Sequence, residues 1–143
     1  MTDVRVNLEH ELPQSGQDQI WKGLREFTES IAGPKNNQPL HVVARAPDGA
    51  ILGGLIGASA WGWLFIDGLW VEAPHRNAGL GSRLMALAEE EGRKRGCYGA
   101  MLETFSFEAR PFYEKLGYQV HSVLQNQPPG HQRLGLHKVF PGT

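Results

Sequence analysis

The 143-residue sequence has one cysteine, Cys97, so it cannot form an internal disulfide or a cysteine-based zinc cluster. It has no apolar run near the ~20 residues that a membrane-spanning helix requires. The polar stretch over residues 1–11 also lacks the apolar core of a signal peptide. Neither sign of charge is in excess: 14 Lys and Arg face 15 Asp and Glu, for a formal net charge of −1. No global basic surface is therefore available for a nucleic-acid backbone or an anionic membrane. These absences lead to the expectation of a cytoplasmic protein with no nucleic-acid partner and no membrane. What the chain does have is 41% hydrophobic residues, enough for a packed core, and 18 glycines. Its length predicts a single domain over residues 1–143.

Periodicity supplies the elements. Ile20, Leu24, Phe27 and Ile31 recur at three- and four-residue intervals, predicting a helix over Gln17 to Ile31 that Gly33-Pro34 ends. Leu40 to Ala46 and Ile51 to Ala60 read as a hairpin around Asp48-Gly49. Gly53, Gly54 and Gly57 weaken its second strand and mark a bulge or a close backbone approach. Trp61 to Val71 is nearly all apolar, as in a central strand, with a turn expected at Gly62. A helix follows over Gly79 to Arg95, with Glu90/Lys94 and Glu91/Arg95 as i,i+4 pairs and a stop at Gly96. Ala100 to Phe105 is a strand, Ser106 to Leu116 a short helix, and Tyr118 to Leu124 and Gln132 to Phe140 two last strands. The order helix, three strands, helix, strand, helix, two strands predicts an α/β fold.

The chemistry concentrates in Leu69-Trp70-Val71-Glu72-Ala73-Pro74-His75-Arg76-Asn77-Ala78-Gly79-Leu80-Gly81-Ser82. An apolar strand ends, a short loop follows, and two glycines stand where the next helix begins. The first turn of a helix leaves N–H groups without partners, and the dipole adds partial positive charge. Glycines let a phosphate approach that backbone, and Arg76 adds a cation at the mouth. Alternatively, glycines at a helix start serve close packing. A dinucleotide fingerprint fails because the position three after Gly81 is Leu84, and no Gly-Lys-Ser/Thr triplet exists for a P-loop.

Arg76-Asn77-Ala78-Gly79-Leu80-Gly81 resembles the Arg/Gln-x-x-Gly-x-Gly/Ala signature of the GNAT superfamily of N-acetyltransferases. Phe112-Tyr113-Glu114-Lys115-Leu116-Gly117-Tyr118 is similar to a second segment of that family, and the element order agrees over nearly the whole chain. Asn77 stands where many members have glycine, and Asn tolerates the left-handed conformation. The resemblance implies a mixed, mostly antiparallel central sheet with helices on both faces, and acetyl-CoA as co-substrate with no metal. It further implies that amides from Asn77 through Ala78, Gly79, Leu80 and Gly81 to Ser82 hold the CoA pyrophosphate. Leu69, Trp70 and Val71 would lie along the pantetheine arm, with an amide near Val71 on the thioester carbonyl. The implied reaction is direct transfer of an acetyl group to a primary amine on a small molecule or a peptide. Family members commonly dimerise, and the apolar final strands would permit a homodimer.

Such a transfer needs an acid for the departing thiolate and a base for the incoming ammonium. Tyr113 matches the family's acid, and an ordinary tyrosine, with a pKa near ~10, is protonated at neutral pH. It could equally be a packing aromatic beside Phe112 and Leu116. Asp67, four residues before Val71, is expected to share its strand face with Leu69 and Val71, where desolvation would make it a usable base. The alternative is a buried carboxylate paired with an arginine or capping a backbone bend beside Gly68, and Glu103 is the second candidate base. Cys97 reads as a core residue. His75, His121, His131 and His137 lack metal-ligand spacing and read as surface or hydrogen-bonding residues. Trp61 and Trp63 flank Gly62 where an acceptor pocket or subunit contact could sit, and the loop Pro128 to His131 could also line the acceptor site. The competing class is a non-catalytic acyl-CoA-binding or sensing module, which would keep Arg76 to Ser82 and lose the acid.

Overall fold

A computed structural model describes residues 3–142. The chain falls into two compact units, Met1–Lys35 and Asn36–Thr143. The first contains α1, Gln14–Ala32, whose end is marked by Gly33 with φ +80°. The second holds six strands: β1 Gln38–Arg45, β2 Ile51–Ala60, β3 Trp63–Val71, β4 Gly99–Phe105, β5 Gln119–Gln125 and β6 Gln132–Val139. It also holds α2, Leu80–Lys94, and α3, Arg110–Lys115. The strands form one sheet in the order β1-β2-β3-β4-β6-β5, in which only the β3–β4 pair is parallel. This is the mixed, mostly antiparallel sheet that the family resemblance implies. The short helix is shorter than expected, because Ser106 to Ala109 form a turn before Arg110. No helix among the described residues is long and apolar enough to cross a membrane.

The core follows from the alternation of β-strand side chains. Leu64 and Ile66 of β3, Ala100 and Leu102 of β4 and Leu134 and Leu136 of β6 meet Leu84, Met85 and Ala88 of α2 in one buried cluster, which also takes in Tyr113 and Tyr118. Cys97 belongs to this cluster, and burial raises its thiol pKa, as suits a packing residue. The glycines of β2 behave as expected: a Cβ on Gly57 would run into the Phe65 carbonyl, and the β2–β3 register slips beside it.

One carboxylate lies inside this core. Glu89 is 5% exposed, yet it accepts hydrogen bonds from the Tyr118 hydroxyl and from Lys138 Nζ, both at 2.8 Å, and has Arg93 at 3.6 Å. Burial, reinforced by the Glu89 charge and its hydrogen bond, pushes the Tyr118 phenol far upward, so that phenol keeps its proton and donates it to Glu89 in that hydrogen bond. Removing one partner of a buried ion pair leaves the other charge unsatisfied, typically at a cost of about 3–5 kcal/mol. Glu89→Ala is therefore expected to lower the calorimetric unfolding temperature sharply, while Glu90→Ala, whose pair with Lys94 is exposed, changes it little.

Candidate active site

The site begins where two parallel strands part. β3 and β4 pair from Trp63/Gly99 to Ile66/Leu102 and no further, although β3 runs on to Val71 and β4 to Phe105. At the same point β3 is bulged. Ile56 of β2 faces Gly68 while Gly57 faces Ile66, so Asp67 has no partner across the ladder. The extra residue reverses the alternation. Leu64 and Ile66 point into the core before it, and Leu69 and Val71 pack against the core after it.

This corrects the expected environment of Asp67. It does not share the face of Leu69 and Val71; the bulge turns it out, and it is exposed. The desolvation on which its role as a base was argued is absent. Glu103 also differs from expectation. Arg133 donates to both of its oxygens, at 2.8 and 3.0 Å, and this pairing holds the carboxyl below its usual range. A carboxylate so satisfied is a weaker proton acceptor.

The parted strands open a cavity of about 470 Å³. Asp67, Gly68 and Leu69 line one wall, Glu103 and Phe105 the other, with Arg133, Glu108 and Tyr113 around them. All three candidate catalytic residues thus face one space. Its β3 wall carries main-chain donors. The Glu72 N–H donates to Leu52 O on β2 at 2.8 Å, so by strand alternation the Leu69 and Val71 N–H groups point the other way, toward the gap. Arg76 Nε donates to the Val71 carbonyl at 2.8 Å, which fixes the guanidinium at the end of the same edge.

Beyond β3 a 3-10 turn, Ala73–His75, leads to Asn77 at φ +64° and Gly79 at φ +80°, and α2 begins at Leu80. Left-handed backbone at Gly79 is the conformation that favours glycine. No side chain caps α2, its first turn carries no acidic residue, and a Cβ on Gly79 would meet open space. A helix N-terminus that the protein leaves uncapped keeps its N–H groups and positive dipole end for an anion. Gly81 serves packing as well, since a Cβ there would lie 3.2 Å from the Phe112 ring. That contact joins the two sequence motifs.

Tyr113 sits on α3 and is 8% exposed, with its ring edge-on to Phe112 and to Tyr118. Burial, reinforced by the nearby Glu108 charge, raises its phenol above the ordinary value near 10. A group with a raised pKa keeps its proton to higher pH. If Tyr113 donates during turnover, kcat should show no alkaline loss from this group below about pH 10, a limb that a pH–rate profile reads directly.

Sequence reasoning missed Arg133 and Glu108, because their approach to the cavity depends on strand pairing and on the β4–α3 turn. Trp61 and Gly62 form the β2–β3 turn, and Trp63 stands edge-on to His137. In the loop before β6, His131 packs edge-on against Phe107, which stacks on Phe105 of the cavity wall.

The family model described as "Acetyltransferase (GNAT) family" matches residues 8–118. A blasticidin-S acetyltransferase of Streptomyces morookaense is 44% identical over 97 residues, covering 65% of this chain and 71% of that protein. The crystal structure of an acetyltransferase from Bacillus cereus superposes with a TM-score of 0.87 at 28% identity, over 94% of this chain and 98% of that one. The fold is shared by a Bacillus anthracis acetyltransferase in complex with acetyl coenzyme A, with a TM-score of 0.65 at 23% identity over 71% of this chain and 63% of that one.

Proposed function

Because the chain belongs to the GNAT acetyltransferase family, we propose that it moves an acetyl group from acetyl-CoA directly to a primary amine within a ternary complex, residues 1–143 acting as one domain. The observation that carries this reading is the gap between β3 and β4, which has main-chain donors on one wall, Tyr113 beside it and an uncapped helix N-terminus one connection away.

The residues divide the work. Amides from Asn77 to Ser82 bind the pyrophosphate, aided by the α2 dipole. Leu69, Trp70 and Val71 present β3 to the pantetheine arm, and the inward N–H of Val71 stabilises the oxyanion that develops on the thioester carbonyl. Tyr113 gives its proton to the departing sulfur. Asp67 and Glu108 are the two cavity carboxylates outside the Glu103–Arg133 pair, and they draw the acceptor in as an ammonium. The lone thiol, Cys97, is buried with a raised pKa, which speaks against an acetyl-cysteine intermediate.

A small-molecule amine is the first acceptor class to try, given the name of the Streptomyces relative. The experiment is thiol release from acetyl-CoA with blasticidin S, a free peptide N-terminus and a lysine peptide, each product weighed by mass spectrometry. Intersecting double-reciprocal lines support direct transfer; parallel lines with an acetylated protein would contradict it. Val123 and Leu124 on β5 and Val139 on β6 keep half or more of their surface exposed, which supports a homodimer through the final strands. Sedimentation equilibrium tests that.

A further inference from the structure

The face of the sheet turned away from α2 carries a polar chain that the acetyl-transfer reading leaves unused. Met101 and Glu103 on β4, and Arg133, Gly135 and His137 on β6, alternate with the core residues Ala100, Leu102, Leu134 and Leu136 and so lie on that opposite face. Glu103 stands directly across from Gly135, and Met101 across from His137. Gly135 is bare for a reason. A Cβ there would run into Ser122 Oγ and would lie 2.9 Å from His121 Nε2. The slip in β5 between Val120 and Ser122 leaves His121 as the extra residue, tipped over this space.

The Nε2 end of His121 thus lies over Gly135, next to the position of Glu103, and the His121 charge acts on the Glu103 carboxyl. Its other nitrogen, Nδ1, is 2.8 Å from Nδ1 of His137. At that distance one Nδ1 donates and the other accepts. The charged groups on this face near the pair are Glu103 of β4 and Arg133 of β6, already bound to each other; β3 contributes Trp63 beside His137, and Asp67 lies on the far wall of the cavity. Neither cavity carboxylate weighed as a base has the burial or the freedom that the role needs, whereas imidazole is the side chain suited to carrying a proton near neutral pH.

We propose that His121 and His137, entered from the cavity at Glu103, form a relay that takes up the proton lost by the acceptor ammonium. The proposal rests on the acetyl-transfer reading. The ammonium releases one proton to water held at Glu103, and His121 accepts it at Nε2. The proton on His121 Nδ1 passes to Nδ1 of His137, and the proton on His137 Nε2 leaves to solvent; exchange with solvent restores the starting tautomers. The freed lone pair forms the new C–N bond as the C–S bond breaks. The second nitrogen proton then balances the one that Tyr113 gives to sulfur. His121 and His137 are positioning residues in this scheme, because they act through Glu103 and water.

The test compares wild type with His121→Asn and His137→Asn at about pH 5 to 9, using ethylamine, which arrives as ammonium, and 2,2,2-trifluoroethylamine, which arrives largely neutral. The relay predicts a loss of kcat/KM of roughly 10-fold or more with ethylamine, an acid limb shifted to higher pH, partial rescue by added imidazole, and little change with trifluoroethylamine. Equal losses with both amines, or no loss with either, would overturn it. If wild type acetylates neither amine, the acceptor assignment is at fault, and the relay is judged by ¹⁵N NMR of the ring nitrogens. Two rings titrating together around a shared Nδ1 proton support it; two independent titrations overturn it.

Discussion

Tyr113→Phe should cut kcat by about 10²–10⁴-fold while leaving the Kd for acetyl-CoA within about twofold. The change removes one oxygen from a ring held by Phe112 and Tyr118, so packing is preserved and only the donor is lost. The raised phenol pKa keeps the wild-type hydroxyl protonated across the working range, so the variant's deficit should be nearly independent of pH below about 10. Stopped-flow turnover and calorimetric binding separate the two quantities. An unchanged kcat would remove Tyr113 as the acid and return it to the packing role that its short amphipathic helix also permits.

The second large effect is on binding. Gly79→Asp should weaken acetyl-CoA binding by roughly 100-fold, or about 2.7 kcal/mol, against a stability cost of about 1 kcal/mol for placing a side chain on left-handed backbone. Open space surrounds a Cβ at this position, so no clash intervenes, and although φ +80° strains any side chain, Asp is among the few residues besides glycine that visit it. The new carboxylate would cap α2 itself, compete for the N–H groups of its first turn and repel a phosphate there. Gly81→Asp should also abolish binding, but its Cβ meets Phe112, so that variant mixes charge with packing. Retained affinity in Gly79→Asp would dismiss the helix N-terminus as the anion cradle.

What could be read from the sequence was local. The proposed cradle lies within seven consecutive residues, Arg76 to Ser82, and the backbone it needs is written in Asn77 and Gly79, both found at positive φ. Tyr113 could be named as a candidate acid because its neighbours carry a motif, and the structure places it beside the cavity. Asp67 was misjudged because simple alternation assumes an unbroken ladder, and the bulge that turns it out belongs to the β2–β3 register. Glu103 could be named as a candidate, but its partner Arg133 lies 30 residues away and is brought beside it by β4–β6 pairing. His121 and His137 read in the sequence as surface or hydrogen-bonding residues, but that they bond to each other depends on the slip of β5 by one residue against β6. In each case the missing term was strand register, which no single stretch of chain encodes.

We propose that the gap at β3 and the N-terminus of α2 form one acetyl-CoA site. The most direct measurement is calorimetric titration of the wild-type protein with acetyl-CoA, with CoA, NADH and ATP as controls. Saturable one-site binding of acetyl-CoA and CoA is expected, with no comparable heat from NADH or ATP. Binding of none of the CoA compounds, or equal binding of all four, would contradict it.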